Sequence, residues 1–148
     1  SLSPYRVIVT GRIKHFTSAF GEHVIAKEVE FAIKGAMQKY PEVKLTEFTV
    51  APVVKPKEGL PHHEWLIEFA TEPYDMGLFA KCLDELLQVQ NPYYKDLISG
   101  KVLKELEIKT LQKGAFNLYM KTQGRLGGQN KVPRLANDRK IADQLKIR

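Results

Sequence analysis

Three cations and three glycines lie within eleven residues near the end of the chain, in residues 124–134. The cations are Arg125, Lys131 and Arg134, and two of the glycines are the adjacent Gly127 and Gly128. Cations on a flexible backbone are suited to anionic ligands, or to negative charge that accumulates during a reaction. The stretch is not a Walker P-loop, because no Gly-Lys-Ser or Gly-Lys-Thr follows its glycines.

The positive charge of the chain is concentrated around this stretch. Residues 113–148 contain nine Lys and Arg and two Asp, so their net charge is +7. Residues 1–112 contain fourteen Lys and Arg and fifteen Asp and Glu, so their net charge is −1. A basic nucleic-acid-binding domain more often spreads its cations over one face of a sheet or along one helix. The distribution therefore favours anion chemistry at one loop, and we predict no nucleic-acid partner.

The bulk composition predicts one domain in a reducing compartment. A chain of 148 residues is long enough for one sizeable core and too short for two. No run of eighteen apolar residues and no apolar leader is present, so we expect neither a membrane partner nor secretion. The single cysteine, Cys82, excludes an internal disulfide and a cysteine-based zinc site. We expect a cytoplasmic domain, and the first residues, which enter a strand-like run at once, suggest a fragment of a longer protein.

The hydrophobic periodicity predicts an α+β fold. Apolar residues at helical spacing predict helices over residues 25–40 and 75–90, and a short turn follows at Tyr93 and Tyr94. Alternating or β-branched runs predict strands over residues 43–54, 62–70 and 102–111, and a hairpin or bent strand over residues 7–16. We expect the strand over 102–111 to have one wet face.

The elements that flank the glycine-rich stretch are predicted to be helical. Residues 115–123 are typical of a short helix that leads into the stretch, and Asp138 lies at the start of a last helix. The whole order predicts an antiparallel sheet of about three to five strands with helices on one face. This is the ferredoxin-like order β-α-β-β-α-β, followed by a helical C-terminal tail.

Other residues with chemical potential are interpreted as structural. His62 and His63 are neighbours on a predicted strand and point to opposite faces, so we predict no metal site. Cys82 lies inside a predicted helix among apolar residues and is interpreted as a core residue. Tyr93 and Tyr94 could stack on an adenine base, but they are more typical of aromatic residues that close a core.

Several short motifs resemble a known family. Gly11, Arg12 and Lys14, followed by Gly21 and an acidic helix start, are similar to the opening of the small C-terminal domain of adenylate-forming enzymes. Residues 5–16, 91–94, 113–116 and 126–134 together resemble the C-terminal domain of the plant auxin-responsive acyl-acid–amido synthetases and their bacterial relatives. The resemblance covers nearly the whole chain, so residues 1–148 are interpreted as one C-terminal lid domain. The loop is two residues shorter than the plant pattern before Lys131.

The resemblance implies a role for each of eight residues. They are the catalytic Lys131; the nucleotide-binding Arg12, Arg125 and Arg134; the hinge Lys14; and the loop residues Gly127, Gly128 and Asn130. The matched motifs contain no metal ligand.

The implied reaction is the ATP-dependent joining of an acyl acid to an amino acid, with release of AMP. ATP and Mg²⁺ would be bound mainly by an N-terminal domain on which this domain docks, so the isolated chain is expected to be inactive. The carboxylate and the triphosphate repel each other, and a cation must stabilise the charge that accumulates where they meet. An ammonium on a long flexible stem, such as that of Lys131, suits this task.

Two other functions fit the same pattern. An acyl-CoA synthetase lid would differ only in using a thiol acceptor. A ferredoxin-like module that binds RNA or phosphate would have the same element order, although the predicted central strands lack the aromatic residues on which such a module stacks bases.

Overall fold

The computed structural model describes residues 16–17, 24–123, 132–136 and 138–147. Their elements, in chain order, are β1 (Phe16–Thr17), β2 (Val24–Ile25), α1 (Ala26–Lys39), β3 (Lys44–Val53), β4 (His62–Thr71), α2 (Met76–Gln90), α3 (Pro92–Ser99), β5 (Glu107–Thr110), α4 (Ala115–Thr122) and a single 3₁₀ turn at Ala142–Gln144. The α+β class is confirmed. The predicted hairpin or bent strand over residues 7–16 lies outside the described residues, except for its last position.

The main sheet is mixed rather than purely antiparallel. Its strand order is β3-β4-β5. β3 and β4 form the predicted antiparallel hairpin, whereas β4 and β5 pair in parallel. The prediction of antiparallel pairing is wrong for this second pair, because α2 and α3 carry the chain back to the starting end of β4. A helical crossover of this length produces parallel neighbours.

Both faces of the sheet are covered. One face, with Trp65 and Ile67, packs against α1 and α2 in a first core. The other face, with Leu66, packs against α4 and the C-terminal segment in a second core, to which Phe116 and Leu145 belong. The expectation that helices cover one face only is therefore wrong. The C-terminal quarter of the chain covers the face of β4 that carries Leu66, which the alternating sequence pattern had not assigned to a core.

Asn91 connects two helices where the sequence predicted a turn. Its backbone amide donates to the carbonyl of Leu87 at the end of α2, and its side chain accepts a hydrogen bond from the amide of Tyr94. Asn91 is thus the C-cap of α2 and the N-cap of α3, with Pro92 at the first helical position, where a missing N–H costs nothing. The predicted turn at Tyr93 and Tyr94 is wrong for this reason.

The last strand and the last helix are both shorter than predicted. The backbone amide of Leu106 donates to the side chain of Asp84 rather than to a neighbouring strand, so β5 begins only at Glu107. In the tail, Leu111 pairs with Ile147 in an antiparallel bridge. That return to extended backbone ends the helical turn after Gln144, and the prediction of a full last helix is wrong.

Candidate functional site

One of the predicted site residues, Arg134, lies within the described part of the chain. The others lie outside it, and their predicted roles remain predictions; they are Arg12, Lys14, Arg125, Gly127, Gly128, Asn130 and Lys131. The structure does describe Gln123, directly before the glycine-rich stretch, and residues 132–136, which include the last three residues of the stretch.

The helix α4 leads into the glycine-rich stretch and is anchored on the second core. Its residues Phe116 and Met120 are buried there. Just after the helix, the side-chain amide of Gln123 donates to the side-chain oxygen of Gln144 at 3.3 Å. The last described residue before the stretch, Gln123, therefore lies beside the C-terminal segment.

Residues 132–136, which include the last three residues of the glycine-rich stretch, run along the outer edge of β3. The amide of Val50 donates to the carbonyl of Arg134, and the amide of Ala136 donates to the carbonyl of Val50, both at 2.9 Å. The hydroxyl of Thr49 adds a hydrogen bond of 2.6 Å to the carbonyl of Pro133. This pairing extends the sheet by a short parallel segment.

The same segment is also held by side chains in both cores. Val132 is buried in the second core and Leu135 in the first. Burying an aliphatic side chain of this size stabilises a structure by about 1.5–3 kcal/mol. The end of the glycine-rich stretch is therefore fixed on the edge of the sheet.

The side chain of Arg134 lies between two carboxylates and an aromatic ring. Its Nη1 forms an ion pair with Glu47 and lies 3.5 Å from the carbonyl oxygen of Phe48. Its Nε lies 3.8 Å from a carboxylate oxygen of Glu30 on α1. Its Cζ is 4.8 Å from the centre of the Phe48 ring, within the range of a cation–π contact. The predicted nucleotide-binding role of Arg134 is not tested by these contacts.

The contact between Arg134 and Glu30 connects the end of the glycine-rich stretch to α1, the helix that follows the predicted hinge in the sequence. Glu30 belongs to α1, which begins directly after β2. β2 pairs with β1, and β1 begins at Phe16, two residues after Lys14. The buried Val24 attaches β2 to the first core.

Comparison with protein families gives a match to the C-terminal domain of the GH3 family over residues 27–140. The chain belongs to this family. The matched range covers α1 except for its first residue, all elements from β3 to α4, and residues 132–136.

Two solved structures have a similar fold. One is described as "GH3.15 acyl acid amido synthetase", with a TM-score of 0.71 and 19% identity over 93% of this chain and 27% of that one. The other is described as "AtGH3.15 acyl acid amido synthetase in complex with 2,4-DB", with a TM-score of 0.70 and 20% identity over 93% of this chain and 26% of that one. This chain thus spans about a quarter of their length. No curated protein gives a significant sequence match.

The buried polar groups of this GH3 domain connect its helices and strands. Asp84 accepts hydrogen bonds from the hydroxyl of Tyr94, the amide of Leu106 and the side chain of Gln88. Tyr94 is fully buried and stacks on His63, with ring centres 5.1 Å apart. Tyr94 therefore belongs to the core, as interpreted from the sequence, whereas the same interpretation is wrong for the exposed Tyr93.

Cys82, the one cysteine of this GH3 domain, lies in a structural environment rather than a reactive one. Cys82 is buried in the first core, as interpreted from the sequence, and burial raises the pKa of its thiol, which disfavours the nucleophilic thiolate. Within the described ranges, no group of three or more His, Cys, Asp or Glu could hold a metal ion. None of the helices in the described ranges is long and apolar enough to cross a membrane.

Sequence reasoning did not identify Glu47 and Glu30 as partners of Arg134. Glu47 lies in a strand pattern and Glu30 in a helix pattern, and each pattern alone is typical of a solvated carboxylate. The contacts depend on residues 132–136 joining the edge of β3, which no local pattern indicates.

Proposed function

We propose that this chain is the C-terminal domain of an ATP-dependent acyl-acid amido synthetase. The intact protein would adenylate an acyl acid, transfer the acyl group to an amino acid, and release AMP. The observation that carries the proposal is the match of residues 27–140 to the GH3 C-terminal domain. The similar folds of two acyl acid amido synthetases support it.

In this proposal Lys131 stabilises the negative charge that accumulates during adenylation. The reacting carboxylate and the α-phosphate are both anionic, so a cation at their meeting point lowers the barrier most in the transition state. Lys131 is bonded to Val132, whose side chain is buried. In the sequence, Lys131 therefore directly precedes the segment that packs on the edge of β3.

The substrates and partners follow from the same proposal. The relative solved with 2,4-DB supports a small-molecule acid as substrate here. The resemblance to adenylate-forming enzymes supports the proposal that Mg²⁺-ATP is bound mainly by an N-terminal domain. We propose that this domain docks on that N-terminal domain and rotates about Lys14 between the two half-reactions.

The covered sheet counts against the RNA-binding alternative. A ferredoxin-like RNA-binding module stacks bases on an exposed sheet face. Here the residues of β4 from His62 to Phe69 are buried, whereas Ala70 is exposed. Both faces of the sheet carry a hydrophobic core.

The test uses the intact protein with a panel of acyl acids. Exchange of pyrophosphate into ATP measures adenylation, and mass spectrometry with amino acids or CoA as acceptors identifies the second product. We expect acid-dependent exchange and an amide product. A thioester instead of an amide would assign the protein to acyl-CoA synthetase chemistry, and robust exchange by residues 1–148 alone would contradict the lid-domain role.

A single substitution tests the role of Lys131. Lys131→Ala should lower the rate of adenylation about 10²- to 10³-fold and change acyl-acid affinity much less. Lys140→Ala is the matched control, since Lys140 is an exposed lysine of the same tail, and it should leave the rate unchanged. An equal loss of rate and affinity, or no loss, would remove Lys131 from catalysis.

A further inference from the structure

We infer that Arg134 is a positioning residue, which, with Glu47 and Glu30, fixes residues 132–136 against β3 and α1. The contacts stand on their own, whereas the catalytic consequence rests on the function proposed for Lys131. The inference differs from the sequence-based prediction that Arg134 binds the nucleotide directly.

The charges around Arg134 favour the positioning role. One guanidinium carries a single positive charge, and it faces the carboxylates of Glu47 and Glu30. The sum of the three charges is negative, so the site as a whole repels a phosphate. A nucleotide phosphate that bound Arg134 would have to displace Glu47 from its ion pair.

The guanidinium is also supported from the core. It lies over the Phe48 ring, and Phe48 stacks on Trp65 with ring centres 5.7 Å apart and an interplanar angle of 8°. Trp65 is fully buried. Because packed aromatic rings adopt few alternative positions, Arg134 is held by a rigid surface rather than on a solvated loop.

The backbone of Arg134 belongs to the same attachment. Its carbonyl accepts a hydrogen bond from Val50, and two residues later the amide of Ala136 donates to the carbonyl of Val50. The side-chain contacts and the backbone pairing therefore hold the same short segment. Lys131 is three residues before Arg134, so its Cα lies within about 11 Å of that of Arg134 by chain geometry alone. Loosening the segment would misplace the ammonium without removing it.

The experiment compares three variants of the intact protein: Arg134→Ala, Glu47→Gln, and Arg134→Glu combined with Glu47→Arg. Hydrogen exchange followed by mass spectrometry measures the protection of the amides of Val50 and Ala136. We expect both single variants to exchange about tenfold faster at these amides, and the charge-swapped variant to recover protection.

Kinetics of adenylation give the second measurement. We expect both single variants to lower kcat about 10- to 100-fold, the range expected from misplacing a catalytic group, and to change KM for ATP less than about twofold. The charge-swapped variant should recover kcat. A purely stabilising contact would not produce this separation of kcat from KM in a folded enzyme.

Arg139→Ala is the matched control. Arg139 also donates to a carboxylate, that of Glu64, at 2.7 Å, and its side chain is 31% exposed, as is that of Arg134. This variant should destabilise the domain while leaving kcat and the exchange of Ala136 unchanged.

Two results would overturn the inference. Unchanged exchange at Val50 and Ala136 in Arg134→Ala would show that the side chain does not hold the segment, whatever the activity. A higher KM for ATP in Arg134→Ala but not in Glu47→Gln, without recovery in the charge-swapped variant, would make Arg134 a phosphate ligand. If the unmodified protein forms no adenylate, the proposed function fails, and the exchange measurements still decide whether Arg134 positions the segment.

Discussion

The carboxylate of Glu68 lies 2.8 Å from the backbone nitrogen of Gly114 and caps α4 from the neighbouring strand β4. Its other oxygen accepts a hydrogen bond of 3.2 Å from the amide of Phe116. The N-cap residue itself is Gly114, with a φ of 85° and no side chain to cap the helix. A carboxylate at this end also interacts favourably with the helix dipole. The sheet thereby fixes the start of the helix that leads into the glycine-rich stretch.

Removing this cap should destabilise the domain. We expect Glu68→Ala to lower the free energy of unfolding by about 1–3 kcal/mol, because two backbone amides lose a charged acceptor in a largely buried position. Urea unfolding followed by circular dichroism measures the change. Glu58→Ala, at an exposed position of the turn between β3 and β4, is the control and should change stability by less than about 0.5 kcal/mol. Equal effects of the two substitutions would contradict the capping role.

The long periodic elements could be predicted from the sequence, and the elements set by tertiary contacts could not. The apolar spacing of α1 and α2 and the alternation of β4 appear at the predicted positions. In contrast, α3 was missed because a turn was predicted directly after the residue pair Asn91 and Pro92. The same pair is a common N-cap and first helical residue, so a signal for the helix was present.

The pairing of β4 with β5 and the burial of the second sheet face depend on contacts distant in sequence. The hydrophobic pattern of β4 does not distinguish a sheet covered on one face from one covered on both, because Glu64 and Glu68 are buried there. Glu68 is buried as the cap of α4, and Glu64 as the partner of Arg139. The attachment of Arg134 to Glu47 was missed for the same reason, since it requires the tail to return to β3.

The hydroxyl of Tyr94 should contribute to stability through Asp84. Tyr94→Phe keeps the ring that stacks on His63 but removes the donor to the buried carboxylate of Asp84. We expect the free energy of unfolding to fall by about 1–3 kcal/mol. Tyr93→Phe is the matched control, because Tyr93 is 68% exposed, and it should be close to neutral. Differential scanning calorimetry of both variants measures the change in Tm. An equal fall in Tm for the two variants would contradict the prediction.

Glu107 should contribute to the free energy of unfolding at neutral pH, and this contribution should be lost in acid. The hydrogen bond from Lys104, aided by the charges of His62 and Lys109, lowers the pKa of Glu107 from its ordinary value of 4.5. A carboxyl with a lowered pKa in the folded state stabilises the fold above pH 4.5, and this contribution is lost as the pH falls through the folded value. Because the side chain is 37% exposed, the contribution should be below about 1 kcal/mol.

Urea unfolding between pH 3 and pH 7 measures this contribution. The unmodified domain should be more stable than Glu107→Gln at pH 7, and the difference should shrink towards pH 3 and in high salt. Glu105→Gln, a substitution of an exposed neighbour on the same segment, is the control. A difference that stays constant from pH 7 to pH 3 would contradict the assignment.

Lys14→Pro should separate the two half-reactions of the intact protein. Proline fixes φ near −65° and removes the backbone N–H, so a hinge at this position could no longer change its backbone angles between two orientations of the domain. We expect pyrophosphate exchange to continue and amide formation to fall at least about tenfold. Lys14→Ala, which leaves the backbone free to rotate, should retain amide formation. This result would show that the hinge needs the backbone freedom of residue 14 rather than the charge of its side chain. If Lys14→Pro formed the amide at the normal rate, or if it lost exchange and amide formation equally, the hinge assignment would be wrong.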